Sequence, residues 1–285
     1  MPQLARLVLA TSLLAAPLAA RAQSASVGQL LAVNGAQLFV TVEGRGRPVV
    51  LLHGGFMDSS MWAPQIEALR SEFQVIRIDL RGYGKSPRSS EPYSAEHDIA
   101  AVLDHLKVKQ AAVVGLSMGG GLAIDFALTH PERVRSLLLA EPGLSGWEWS
   151  SDVSGTMMRV ADAFKKGGRA AAIDAMLEQP VFATARARPA AYAAIREQLE
   201  RNFSMDAVPM KMARPLAVGR LPEIRVPVLV LVAEQGGPDA RRIAEKIARE
   251  APDARAVTMP DTGHMINLEQ PAAFNRLALE FLRAH

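Results

Sequence analysis

The sequence predicts an α/β protein: a mostly parallel sheet of about eight strands, helices on both faces, and a helical cap inserted after the sixth strand. Three observations predict it. Continuous apolar runs such as Pro48 to Leu52, Ala111 to Leu116 and Val134 to Ala140 suit strands buried on both faces. Stretches of helical spacing separate them, as in Ala95 to Leu106, where Ile99, Val102, Leu103 and Leu106 form one stripe. Finally, the alternation stops after Pro142 and resumes near Pro222, so a block without buried strand runs interrupts one sheet.

The elements follow in order. Arg6, the apolar run from Leu7 to Ala20, and the small residues Ala20 and Ala22 have the layout of an export signal. The expectation is a signal peptide over residues 1–22, cleaved near Ala22, and a periplasmic or secreted mature protein. An uncleaved anchor is the alternative, but the run is short for a span and contains Pro17. Gly28 to Val33 and Ala36 to Glu43, joined by Asn34-Gly35, read as a β-hairpin. Gln74 to Asp79 reads as a strand and Ser60 to Leu69 as a helix. Met118 to Thr129 is helical. Gly168 to Leu177 and Pro189 to Arg201 are the clearest helices of the inserted block. Val226 to Val232 returns to the sheet, followed by a helix from Asp239 to Glu250, a strand from Ala254 to Met259 and a last helix from Pro271. The expected division is therefore a core domain over residues 23–142 and 222–285, with a helical cap over 143–221. An insertion of this kind is expected over the carboxyl ends of the strands, where open α/β sheets bind ligands.

Composition narrows the chemistry. The chain has 285 residues, 49% of them hydrophobic and 21% charged, and no cysteine. Enough chain is present for a large core, and thiol nucleophiles, cysteine zinc sites and iron–sulfur clusters are excluded. The formal charge of +3 falls to +1 once Arg6 and Arg21 leave with the signal. So small a surplus gives no support to nucleic-acid binding, which needs a concentrated basic face.

The strongest chemical signal is Gly115-Leu116-Ser117-Met118-Gly119, set between a buried strand and a helix. A sharp turn there would push Ser117 out of the sheet at the positive end of the following helix. A serine hydroxyl needs a base. His264, in the loop between the last strand and last helix, is the candidate, while His53 reads as a brace for its own loop. The developing oxyanion needs preorganised donors. The backbone N–H of Met118 is one, and that of Gly55, in His53-Gly54-Gly55-Phe56, is expected to be the second.

These elements resemble the α/β-hydrolase superfamily. The resemblance rests on His53-Gly54-Gly55, Asp79-Leu80-Arg81-Gly82-Tyr83-Gly84-Lys85-Ser86, the serine turn, and Gly263-His264 with Asn267-Leu268-Glu269-Gln270-Pro271. It implies the α/β-hydrolase fold. It also implies kinship with small capped esterases, enol-lactonases, C–C bond hydrolases and cofactor-free haloperoxidases, which share the serine turn. In such proteins the acid that orients the histidine usually follows the strand that is here Val226 to Val232. Here that segment reads Ala233-Glu234-Gln235-Gly236, with glycine where the acid is expected.

Three readings compete for the missing acid. Glu141, at the end of the preceding strand, comes first. Asp239 is the alternative, although a helix N-cap is its plainer role. A Ser–His dyad or a degenerate site is the third. Asp261 is close to His264 in sequence but shares its short loop. Asp79 and Arg81 read as structural braces. Trp147, Trp149, Met157, Met158 and Met176 could line an acyl pocket, with the cap's own core as the preferred reading, and arginines 186, 188, 196 and 201 read as a solvated face.

The sequence thus points to a serine hydrolase cleaving a small-molecule ester or lactone through an acyl-enzyme, with no metal or organic cofactor. C–C hydrolysis of a diketone-type substrate and ligand binding on a degenerate hydrolase scaffold are the rival readings.

Overall fold

A computed structural model of the chain describes residues 28–206 and 209–285. The expected export signal lies outside the described residues. The sheet has eight strands: β1 (Gln29–Val33), β2 (Ala36–Glu43), β3 (Arg47–Leu52), β4 (Phe73–Ile78), β5 (Ala111–Leu116), β6 (Val134–Ala140), β7 (Val228–Ala233) and β8 (Ala254–Met259). Their spatial order is β1-β2-β4-β3-β5-β6-β7-β8. The hairpin strands β1 and β2 are antiparallel to their neighbours, and every pairing from β4 through β8 is parallel.

Burial explains the composition of each strand. All six residues of β5 and all six of β7 are buried, as their unbroken apolar runs require. The last strand, β8, is an edge, and only its final residue, Met259, is buried. The helices are α1 (Ala63–Arg70), α2 (Ala95–His105), α3 (Met118–Thr129), α4 (Ser151–Leu177), α5 (Ala183–Arg186), α6 (Pro189–Asn202), α7 (Pro238–Glu250), α8 (Ile266–Glu269) and α9 (Pro271–Ala284). Two apolar clusters cover the sheet's faces. One packs α2, α3 and α7 through Ile99, Phe126 and Ile247; the other packs α1 and α9 through Leu69, Phe274 and Phe281. Among the described residues no helix is long and apolar enough to cross a membrane.

Helices α4 to α6 fall between β6 and β7, as expected. The sequence showed helical spacing only from Gly168, whereas α4 begins at Ser151 and kinks at Gly168, whose φ is 71°. Its first half hides from pattern reading because Val160 is the only buried residue there. By contrast α6 is tied firmly to the sheet. Asn202 Nδ2 and Arg201 Nε donate to Asp58 Oδ2 at 2.9 and 3.2 Å, and the Asp58 N–H donates to Gln198 Oε1 at 2.9 Å.

Chain order reverses between β3 and β5, so the loops leaving their carboxyl ends diverge and open a crevice. His53 to Phe56 follow β3, Ser117 follows β5, Glu141 follows β6, Gly236 follows β7 and His264 follows β8.

Candidate active site

Ser117 sits between β5 and α3 with φ 54° and ψ −115°, a strained backbone that a non-glycine residue rarely adopts. Neighbouring glycines make the turn possible. A Cβ at Gly119 would lie 2.6 Å from the His53 carbonyl oxygen, and one at Gly115 would strike the backbone of Gly119. The turn is bolted down on both sides: Ser117 N–H donates to the Ala140 carbonyl, and Gly143 N–H donates to the Ser117 carbonyl, each at 2.9 Å.

Glu141 directly follows β6, also in the left-handed region at φ 47°. Its side chain is buried, and Oε1 accepts a 2.6 Å bond from the Ala233 N–H at the end of β7. Oε2 faces His264 Nδ1 at 3.4 Å. A Cβ built on Gly236 would fall inside the Glu141 carboxylate. Glycine at 236 is therefore a steric requirement: the carboxylate from β6 occupies the space a side chain from the β7 loop would need. The Ser117 hydroxyl and His264 line the same cavity of about 600 Å³. No hydrogen bond joins them among the described residues.

The His264 loop is held by a residue whose part the sequence did not reveal. Glu269, its side chain fully buried, accepts from the N–H groups of Gly263 at 2.8 Å and Met265 at 3.1 Å, and from the Thr184 hydroxyl. The His264 N–H itself donates to the Val181 carbonyl at 2.9 Å. Glu269 stands six residues after Gly263, within the quoted Asn267 to Pro271 segment; only the fold shows that it clamps the loop from behind.

Gly55 and Met118 lie side by side, with a Cβ on Gly55 in ordinary contact with Met118 at 4.0 Å. Neither N–H donates to a protein acceptor among the described residues. His53 is a buried brace: its Nε2 accepts from the Leu80 N–H at 3.0 Å and its Nδ1 sits 2.8 Å from the Gly54 carbonyl. Burial depresses its pKa, favouring the neutral ring that these contacts need. Asp79 receives the N–H groups of Ser59 and Lys85, and Arg81 pairs with Asp98, so both act as braces.

Three expectations need correction. Asp239 is not the N-cap of α7; that position is Gly237, and Pro238 opens the helix. Asp239 instead accepts bonds from Trp147 Nε1, from the Ser150 N–H and hydroxyl, and from Arg242. Although burial opposes it, those donors lower its pKa to about 2. No bond joins either Asp239 or Asp261 to His264 among the described residues.

The apolar residues of the insertion are not simply its own core. Trp149 and Met157 are about half exposed and line the cavity with Met176, because the insertion overhangs a void rather than a packed sheet face. Nor are the arginines merely solvated. Arg188 donates to the Asp261 carbonyl, Arg201 to Asp58, Arg196 to Asp174, and Arg186 to the carbonyls of Leu177 and Gln179.

Comparison with known proteins agrees with this fold. The carboxylesterase YbfK of Bacillus subtilis is 27% identical over 246 residues, covering 82% of this chain and 79% of that protein. The enol-lactonase of Burkholderia xenovorans LB400 superposes with a TM-score of 0.74 at 29% identity, covering 90% of this chain and all of that one. A thermophilic esterase from Thermogutta terrifontis gives 0.73 at 29% identity, with 92% and 99% covered. The family model described as "Alpha/beta hydrolase family" matches residues 49–277, and the chain belongs to that family.

Proposed function

We propose that the protein is a serine hydrolase that cleaves carboxylic esters or lactones of small molecules. One observation carries the reading: Ser117 and His264 share a cavity in which the Glu141 carboxylate faces His264 Nδ1 at 3.4 Å. Ser117 Oγ attacks the substrate carbonyl while His264 Nε2 takes its proton. Glu141 holds the Nδ1–H tautomer and stabilises the imidazolium. The N–H groups of Gly55 and Met118 receive the oxyanion. His264 then returns the proton to the departing alcohol oxygen. Water, activated by the same histidine, cleaves the acyl-enzyme and restores Ser117. The similarity to an esterase and an enol-lactonase supports ester or lactone substrates. The leading segment supports export of the mature chain, to be checked by its N-terminal mass from a periplasmic fraction.

The test is intact mass after treatment with a fluorophosphonate, beside Ser117→Ala. A single adduct, absent from the variant, is expected; folded wild-type protein without an adduct contradicts the proposal.

A second reading, C–C hydrolysis of an acidic diketone, draws on Arg159. Its guanidinium lines the cavity, held at 3.0 Å by both Thr156 and Gln179, and makes no ion pair among the described residues. Asp152, on the same wall, opposes an anion there. Arg159→Met should weaken KM for carboxylate-bearing substrates alone if this reading holds.

A further inference from the structure

Beside the catalytic cavity lies a second chamber of about 300 Å³. The two share a partition made of Phe56, Met157 and Met176. We propose that this chamber receives the distal, apolar arm of the substrate's acyl group, so that the preferred substrates are esters of extended acyl chains. The inference rests on the reading of Ser117 as nucleophile.

Position is the first argument. Phe56 directly follows Gly55, one of the two proposed oxyanion donors, and its backbone is held at φ 58°. An acyl carbonyl whose oxygen rests on the Gly55 N–H therefore has its chain beside Phe56, against the partition. Wall chemistry is the second. Val160 and Phe203 are buried in the wall, and Phe203 packs on Phe56 with ring centroids 5.1 Å apart. Asn202 and Ser204 in the wall are already engaged, the Ser204 hydroxyl with Asp206 Oδ2 at 3.1 Å. Asn202 gives its amide protons to Asp58 and the Gln198 carbonyl, and its oxygen accepts from the Gly84 N–H. Arg88 donates to the Asp206 carbonyl at 3.2 Å. The buried part of the wall, Val160 and Phe203, is hydrocarbon, so an apolar chain loses nothing by entering there.

The partition is the third argument. Two of its members are methionines, unbranched side chains that change rotamer easily and adapt to an occupant. Met157 is 43% exposed, so it faces open space on the exposed half of α4 instead of filling a packed core. The chamber has the volume of about ten waters, room for several methylenes.

The experiment is kcat/KM for p-nitrophenyl esters from acetate to decanoate, on wild type, Ser204→Trp and Met157→Ala. Ser204 lines the second chamber and not the catalytic cavity, and an indole there would fill it. Wild type is expected to gain up to about fourfold per methylene until the chamber is full. Ser204→Trp should cut the decanoate-to-acetate ratio at least tenfold, and Met157→Ala, which widens the passage, should raise it. Should the indole prevent folding, seen as lost near-ultraviolet circular dichroism, the Met157→Ala ratio decides alone. A flat wild-type profile, or ratios unmoved by the folded variants, overturns the chamber's role while a fluorophosphonate adduct at Ser117 leaves the nucleophile standing. No adduct and no ester turnover in wild type overturns both.

Discussion

The ends of β6 and β7 are neighbours in the sheet, yet their loops do opposite things. After β6 comes a strained glutamate, Glu141 at φ 47°, whose carboxylate reaches across to the next strand. After β7 comes Ala233-Glu234-Gln235-Gly236, which supplies no side chain at the equivalent place and whose glycine makes room for the neighbour's. The lesson is that a site specifies a carboxylate at a point in space rather than at a position in a motif. Here the β6 end delivers it to His264 Nδ1, and its presence excludes a side chain at Gly236 on steric grounds.

The largest expected effect breaks the pair. Replacing Glu141 by Ala should lower ester turnover on the order of 10⁴-fold, the cost of losing the group that orients the histidine. Adding Gly236→Asp to that variant fills the emptied space from the other strand and should recover at least a hundredfold. A double variant no better than the single would show that the two strand ends are not interchangeable.

Next in size is a steric test of the same comparison. Gly236→Ala places a methyl group against the Glu141 carboxylate and should cost about 1–3 kcal/mol of stability, measured by urea unfolding, with turnover falling as Glu141 shifts.

The smallest effects come from the anchors of the two loops, which titrate in opposite directions. Beyond β6, Ser145 is fastened to Asp125 by a 2.7 Å bond; burial raises that carboxyl to about 6 despite the bond. A raised carboxylate pKa means the folded state binds the proton more tightly, so this contribution is present below about pH 4 and lost as pH rises through 6. Asp125→Asn, which keeps the acceptor oxygen, should therefore stabilise the protein at pH 8 by about 2 kcal/mol and scarcely change it at pH 4. Beyond β7, Asp239 is depressed to about 2 by its donors, so its contribution is present above about pH 4 and lost as pH falls through 2. Asp239→Asn should destabilise by about 1–2 kcal/mol at pH 7, the difference vanishing near pH 2. Urea unfolding of both variants across that range checks the signs.

Much of this was legible in the sequence, and the reasons are local. Continuous apolar runs located β3, β5, β6 and β7 because a strand buried on both faces admits nothing else. The serine turn was legible because its glycines answer backbone contacts within a few residues or with the adjacent strand. Glu141 could be ranked first among the acids, but only the three-dimensional contact of Gly236 with its carboxylate explains the glycine. The clamp by Glu269 on the His264 loop, the four-donor hub at Asp239 and the overhang of Trp149 and Met157 were not legible. The clamp is close in sequence but depends on the burial of a carboxylate, the hub joins segments 89 residues apart, and the overhang depends on where the insertion sits over the cavity, none of which has a local pattern.

The most direct test of the exchange between strand ends is the second-order rate of fluorophosphonate labelling at Ser117 in wild type, Glu141→Gln and Asp239→Asn. Labelling reads nucleophile activation without depending on the natural substrate. The account predicts a fall on the order of 10³-fold or more for Glu141→Gln, with Asp239→Asn within about threefold of wild type, since Asp239 touches the insertion and not His264. A Glu141→Gln protein that labels at the wild-type rate, with Asp239→Asn impaired, would contradict it and return the acid to the β7 side.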